Sequence, residues 1–348
     1  MNRQFGAFTG LAMMLIVLNH SITLGLDPPG TVGVSGLSGW GLALLTVLQA
    51  LGAFAVPIFF FVSGSFVAYA AQGELPRLSL KFLWSSLRHI LVPYFVWSIF
   101  FYVLVFFQNN EQYSLPQYIK NLLVGYPFHF IPLLIFYYVL SPFLVVVGKR
   151  YGMILILLVG AYQLYSLNVV SNGILGFEFP GWATHFTLPV LRTTIGDWGV
   201  YFPLGLVYGL HTRQMLPWIK RFAWILLLAA LVIFIIGLLN EFKVLSFPMA
   251  RYLCVLPLIL ALPAITRDRI PFVRYFEKLG KRSYGLYLTH LIILDLVLLL
   301  IQVVLIQLFG LPMLLFPLLF ALGLLIPMVI MELAARGPTR RVYRYLFG

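Results

Sequence analysis

Runs of about twenty apolar residues recur from one end of the chain to the other, each long enough to cross roughly 30 Å of hydrocarbon. They predict about ten helices, with approximate limits 6–26, 43–71, 82–107, 128–148, 152–170, 194–211, 219–239, 248–265, 283–306 and 311–335. The sixth is the weakest, because Asp197 stands near its start and its apolar part is short. Short alternating segments of the kind a β-barrel requires are absent. The pattern therefore predicts an all-α, polytopic integral membrane protein, a single transmembrane unit over 1–348. The longer connections, about 27–42, 108–127 and 171–193, are rich in Gly, Pro, Asn and aromatics and are suited to shape a binding surface.

Composition agrees with this reading. Of 348 residues 61% are hydrophobic and only 9% charged, whereas a soluble domain carries about a quarter charged. The net charge of +13 invites a nucleic-acid reading, but in a membrane protein excess Lys and Arg first mark the cytoplasmic loops. With the N-terminus inside, every one of the 23 basic residues except Lys120, Arg192, Lys243 and Arg251 falls on the cytoplasmic side. Arg3, Arg77, Lys81, Arg88, Lys149 and Arg150 are among them, and the C-terminus is cytoplasmic too. Removing the weak sixth helix would move the cluster at 267–282 to the wrong side, so the charges support that helix. No nucleic acid is needed as a partner; the lipid bilayer is. The N-terminal apolar stretch is longer than a leader's core and lacks a small-residue cleavage site, so it is expected to be a retained helix. The single cysteine, Cys254, excludes an internal disulfide and a Cys-based metal site.

Against this apolar background the ionisable and hydroxyl residues stand out, since groups at membrane depth face the bundle interior or a wet cavity. The stretch "GLAMMLIVLNHS" ends in Asn19, His20 and Ser21. His20 lies eleven residues past Thr9, about 16 Å along the axis at 1.5 Å per residue, so Thr9, Met13, Ile16 and His20 share one face. Taken alone, His20 fits a hydrogen-bonded core histidine as well as a reactive one. Ser63 precedes Gly64 and Ser65 in "VPIFFFVSGSFVAYA", a grouping that fits close helix packing as well as chemistry. Arg88, in "SLRHILVPYFVWS", suits either lipid phosphate or an anionic ligand facing inward. Ser283, Tyr287 and His290 form one polar stripe reaching about 10 Å into the ninth helix. Asp295 lies deeper on another face, with Arg251 as one candidate partner. On the outer side, His129, Glu178, His185, Arg192 and Asp197 offer groups suited to a polar substrate.

The chain contains no Gly-Lys-Ser/Thr phosphate loop, no HExxH and no G-x-S-x-G elbow, and no histidine pair at metal-ligand spacing, so no metal is expected. Six segments in order resemble the acyltransferase type 3 family of integral membrane acyltransferases: "GLAMMLIVLNH", "VPIFFFVSGSFV", "LRHILVPYFVWS", "HFIPLLIFYYVLSP", "VYFPLGLVYG" and "SYGLYLTH". The family's best-known signature places an arginine eleven residues before the histidine; Thr9 stands there instead. The resemblance implies transfer of an acyl group, usually acetyl, from acetyl-CoA as co-substrate to a hydroxyl of a carbohydrate or glycolipid at the cell (inner or plasma) membrane. No permanently bound cofactor is implied.

Within that expectation His20 is the general base, and His290 and Tyr287 orient the donor or stabilise the oxyanion. Arg88, Ser63, Thr9 and Ser283 serve the donor. His129, His185 and Asp197 serve the acceptor. Direct transfer and a brief acyl-enzyme both remain open at this point. So do transport of a lipid-linked sugar and a catalytically lapsed role.

Overall fold

The computed structural model describes residues 4–28, 37–71 and 78–348; Arg3, Arg77 and the middle of the 27–42 connection lie outside them. Helices make up 83% of it, with no strand among the described residues. In chain order they are α1 (Gln4–Leu26), α2 (Gly39–Ala50), α3 (Ala55–Ala70), α4 (Leu80–Asn109), α5 (Leu115–Val124), α6 (Phe130–Val170), α7 (Arg192–Trp198) and α8 (Tyr201–Leu210). There follow α9 (Thr212–Glu241), α10 (Ala250–Leu253), α11 (Val255–Ala261), α12 (Val273–Gly280), α13 (Ser283–Val304), α14 (Pro312–Arg336) and α15 (Tyr343–Phe347). Among the described residues seven stretches are long and apolar enough to cross a membrane: α1, Gly39–Ala70, Leu80–Gln108, α6, α9, α13 and α14. Two shorter apolar stretches, Tyr201–Leu210 and Ala250–Ala264, accompany them.

Several expected boundaries move. The second predicted helix is α2 and α3 joined by a 3₁₀ turn at Leu51–Phe54. The sixth divides into α7 and α8. The fourth and fifth run on as α6, whose 41 residues would span about 60 Å if straight. They are not straight. Tyr151 has non-helical backbone (φ −132°, ψ 39°), and the segments on either side return to the same place. Tyr137 Oη donates to the Gly199 carbonyl, and Gln163 Oε1 accepts from the Val200 amide at 2.7 Å. Side chains 14 residues before and 12 after the break thus hold neighbouring residues, so α6 is a hairpin turning beside Lys149 and Arg150.

Packing at the bundle centre depends on missing side chains. A Cβ on Gly64 would lie 2.1 Å from the Phe202 carbonyl oxygen, and one on Gly205 1.9 Å from that of Phe61. α3 and α8 therefore touch backbone to backbone, the small-residue contact by which lipid-embedded helices associate. Ser65 seals it, its hydroxyl placed for Phe61 O at 2.9 Å and Gly205 O at 3.1 Å. The same device joins α1 to α12, where a Cβ on Gly280 would lie 1.8 Å from Gly6 O. α9, by contrast, is buried over only 6% of its most apolar window. Exposed Trp218, Trp224 and Leu231 make it a hydrocarbon-facing helix, for which apolar exposure is the stable state.

The cations gather at one end. Lys149 and Arg213 line a cavity with Phe5 and Tyr69, Lys281 lines one with Gly6, and Lys81 and Arg88 meet Arg340, Arg341 and Arg344. This basic end holds the start of α1 and the end of the chain.

Candidate functional site

Two cavities meet at Tyr287 and Phe130, which line both. The one toward the basic end is about 630 Å³. α1 contributes Gly6 and Thr9, α3 contributes Phe59, Val62, Ser63 and Phe66, and α12 and α13 contribute Glu277, Ser283 and Tyr284, with Lys281 between them. Thr9, Ser63, Ser283 and Tyr287, named from the sequence, are thus brought together. The glycine-mediated contact of α3 with α8 explains the division within Ser63-Gly64-Ser65: the last two are packing residues, and Ser63 is left facing the cavity. Thr9 Oγ1 is occupied, donating to Phe5 O at 2.8 Å. Charge is supplied instead by Lys281. Glu277 beside it holds Arg267 in a two-pronged ion pair at 2.6 and 2.9 Å.

The cavity on the far side of Tyr287, about 290 Å³, is lined by Asn19, His20, His129, Asp197, Arg251 and Tyr252. Its mouth is fixed by α4: Tyr94 Oη donates to Leu122 O at 2.6 Å and Tyr102 Oη to Tyr126 O at 2.9 Å, which sets α5 and the turn before His129. Gln163 Nε2 donates to Asp197 O at 3.3 Å. α7 lies outside the apolar stretches, and there burial pushes the Asp197 carboxyl up to about 6 while the Arg251 guanidinium opposes the shift. Arg251 and Asp197 line the same cavity, and Asp295 does not line it.

Between the cavities stand two histidines. The rings of His20 and His290 lie 5.3 Å apart at 48°, and Tyr287 is 5.6 Å from His290. Tyr287 in turn packs on Phe130 with centroids 4.3 Å apart. His290 Nδ1 is 2.7 Å from Tyr287 O and 3.1 Å from Leu286 O. A carbonyl only accepts, so Nδ1 carries the proton of the neutral ring and Nε2 is a bare acceptor. That Nε2 is fully buried with no hydrogen-bond partner among the described residues, a condition that structures rarely leave without a purpose. Among the described residues no three His, Cys, Asp or Glu side chains gather as a metal set.

Arg88, Glu178, His185, Arg192 and Asp295, all named from the sequence, line neither cavity. Arg88 lies outside both cavities and donates to Tyr345 Oη at 2.9 Å. Tyr284, whose hydroxyl donates to Ile90 O at 2.6 Å, joins the wall of the larger cavity to α4. His185 is exposed on the 3₁₀ turn Gly181–Phe186, its Nδ1 3.0 Å from Trp182 O. Lys281 and Arg251 were missed as site residues. Lys281 was hidden among the cations of the basic end, whereas Arg251 carried a signal: it is a cation on the side where the charge bias leaves few.

A family model described as an acyltransferase domain matches residues 7–332. The chain belongs to the acyltransferase type 3 family. It is accordingly a multi-pass membrane acyltransferase. No curated protein and no solved structure matches the chain.

Proposed function

We propose that this membrane acyltransferase moves an acyl group, most simply acetyl, from acyl-CoA in the larger cavity to a hydroxyl of a carbohydrate or glycolipid in the smaller one. The observation that carries this reading is the meeting of the two cavities at Tyr287, with His20 and His290 beside it. In this scheme the protein crosses the cell membrane ten times: the hairpin of α6 counts as two crossings, and α8 and α10–α11 complete the set, with α7 lying at the outer mouth before α8. The basic end then faces the cytoplasm, where the positive charges belong and where acyl-CoA is found.

The donor's thioester reaches Tyr287 between Ser63 and Ser283, with Lys281 answering its phosphates. The acceptor hydroxyl enters past His129, Asp197 and Arg251. His20 takes its proton as the oxygen attacks the thioester carbonyl. The carbon–sulfur bond breaks, the electron pair leaves with sulfur, and the proton passes from His20 to the thiolate. His290, with its proton held on Nδ1, is a poor oxyanion donor and a good acceptor. Its role is to accept a hydrogen bond and so orient the imidazole across from it, a positioning role; Tyr287 Oη is left as the candidate donor to the oxyanion. In this scheme the acceptor oxygen attacks the thioester itself, so transfer is direct.

Purified protein given labelled acetyl-CoA and a panel of carbohydrates and glycolipids tests the scheme. Label should appear on an acceptor, or the thioester should be hydrolysed slowly in its absence. If neither happens and the protein instead carries glycolipid across vesicles, transport replaces transfer.

A further inference from the structure

On the other side of Tyr284 from the donor cavity, the last residues of the chain fold back on α4. Trp97 Nε1 donates to Leu346 O at 2.7 Å, Arg88 donates to Tyr345 Oη and lies 5.0 Å over its ring, and Phe347 is buried 6.0 Å from Trp97. This docking brings Arg340, Arg341 and Arg344 into one concavity of about 580 Å³ with Lys81 and Arg88. Five cations converge, and among the described residues no carboxylate lines the space. Glu332, the one acid of α14, is already engaged by Arg282 and, at 2.6 Å, by Arg336. Such a set repels itself unless an anion joins it.

The surroundings say which anion. Leu80 is 79% exposed and Trp84 68%, both in the first turns of α4, where its apolar run begins. An exposed indole beside arginines marks the membrane–water interface, and cations immediately next to a span are attracted to anionic headgroups. We propose that Lys81, Arg88, Arg340, Arg341 and Arg344 form a binding site for the phosphate of an anionic phospholipid, built by the docked C-terminal segment. The site is separate from the acyl-transfer reading and does not depend on it.

The full chain in neutral detergent, titrated with phosphatidylglycerol, phosphatidylcholine or inorganic phosphate while its melting temperature is read, tests the proposal. Phosphatidylglycerol should raise the melting temperature saturably, and the other two should not. Each cation near an anionic headgroup is worth roughly fivefold in affinity. K81Q/R340Q/R341Q/R344Q should therefore need more than tenfold higher phosphatidylglycerol for the same shift. R221Q/R269Q/R274Q/K278Q, with the same number of exposed charges removed from the same end, should respond as wild type. Equal responses to both lipids, equal losses in both variants, or a full response to inorganic phosphate would each overturn the lipid site. Should the first variant not fold, Arg341→Gln alone must shift the half-saturating concentration severalfold, and an unchanged value overturns the proposal equally.

Discussion

The cavities on the two sides of Tyr287 are made of different materials. Toward the basic end the space is about twice as large, and its wall is mostly aromatic and small residues with one lysine and one carboxylate, Glu277, which is paired with Arg267. On the far side the space is narrow and holds histidines, a carboxylate and an arginine. A wide, weakly polar channel suits a long flexible donor held largely by shape. A narrow polar pocket suits an acceptor recognised by its hydroxyls, because buried polar groups reject a partner that leaves them unpaired. The proposed scheme accordingly puts proton chemistry on the narrow side and donor binding on the wide side.

That division is broken most directly at His20. His20→Ala should lower the turnover of acyl transfer by about 10²–10⁴-fold, the usual worth of a positioned base, with normal membrane yield and little change in the KM for acetyl-CoA. Steady-state kinetics on purified protein checks it; unchanged turnover would show that the polar side does not supply the base. His290→Ala should give a smaller loss and should alter the pH profile, because in the proposed scheme its buried Nε2 orients His20 and does not touch substrate.

The next effect is on folding. Gly64→Ala places a methyl 2.1 Å from the Phe202 carbonyl oxygen and should destabilise the bundle by about 3 kcal/mol, as overpacking does. Ser63→Ala, one residue away and facing the cavity, should leave the melting temperature within about 2 °C, as changes off the packed core do. If the two variants melt alike, the distinction drawn between packing and cavity residues in this motif is wrong.

The helical period was enough to place Thr9, Ser63, Ser283, Tyr287 and His20, since each follows from counting along a single helix. Arg88 and His185 were misplaced for the opposite reason. Which face of α4 meets the bundle is decided by a segment 257 residues away, at Tyr345, and no local spacing reports that. The short helices α5, α12 and α15 escaped the apolar-run reading because they are too short or too polar to span. α5 did leave a signal in Ser114 and Gln117, three residues apart, which form its capping box. The hairpin of α6 was legible from Lys149 and Arg150, although the helix continues almost through them.

Lys281→Gln sharpens the donor side. It should raise the KM for acetyl-CoA about tenfold, the worth of one charge-assisted contact, and leave the acceptor KM unchanged. Arg88→Gln should move neither constant. A donor KM that rises for Arg88→Gln and not for Lys281→Gln would return the donor to the face of α4.

The smallest expected effect tests the polar side through its carboxylate. Burial holds Asp197 up at about 6 in the folded chain against an ordinary value of 3.8. Between those pH values the folded protein therefore binds more protons than the unfolded one, and stability falls as pH rises through the window. Above about pH 6 the ionised carboxylate is a standing penalty, on the order of 1 kcal/mol after allowance for its partial exposure and the opposing Arg251. Asp197→Asn removes the proton and with it the slope. Melting temperatures of wild type and variant, compared from pH 4 to 7, should change in the variant's favour as pH rises to about 6 and then run parallel. A constant difference across the whole range would mean that Asp197 is solvated. The narrow cavity would then be open to water and unable to discriminate by desolvation, and the contrast between the two sides of Tyr287 would reduce to one of size.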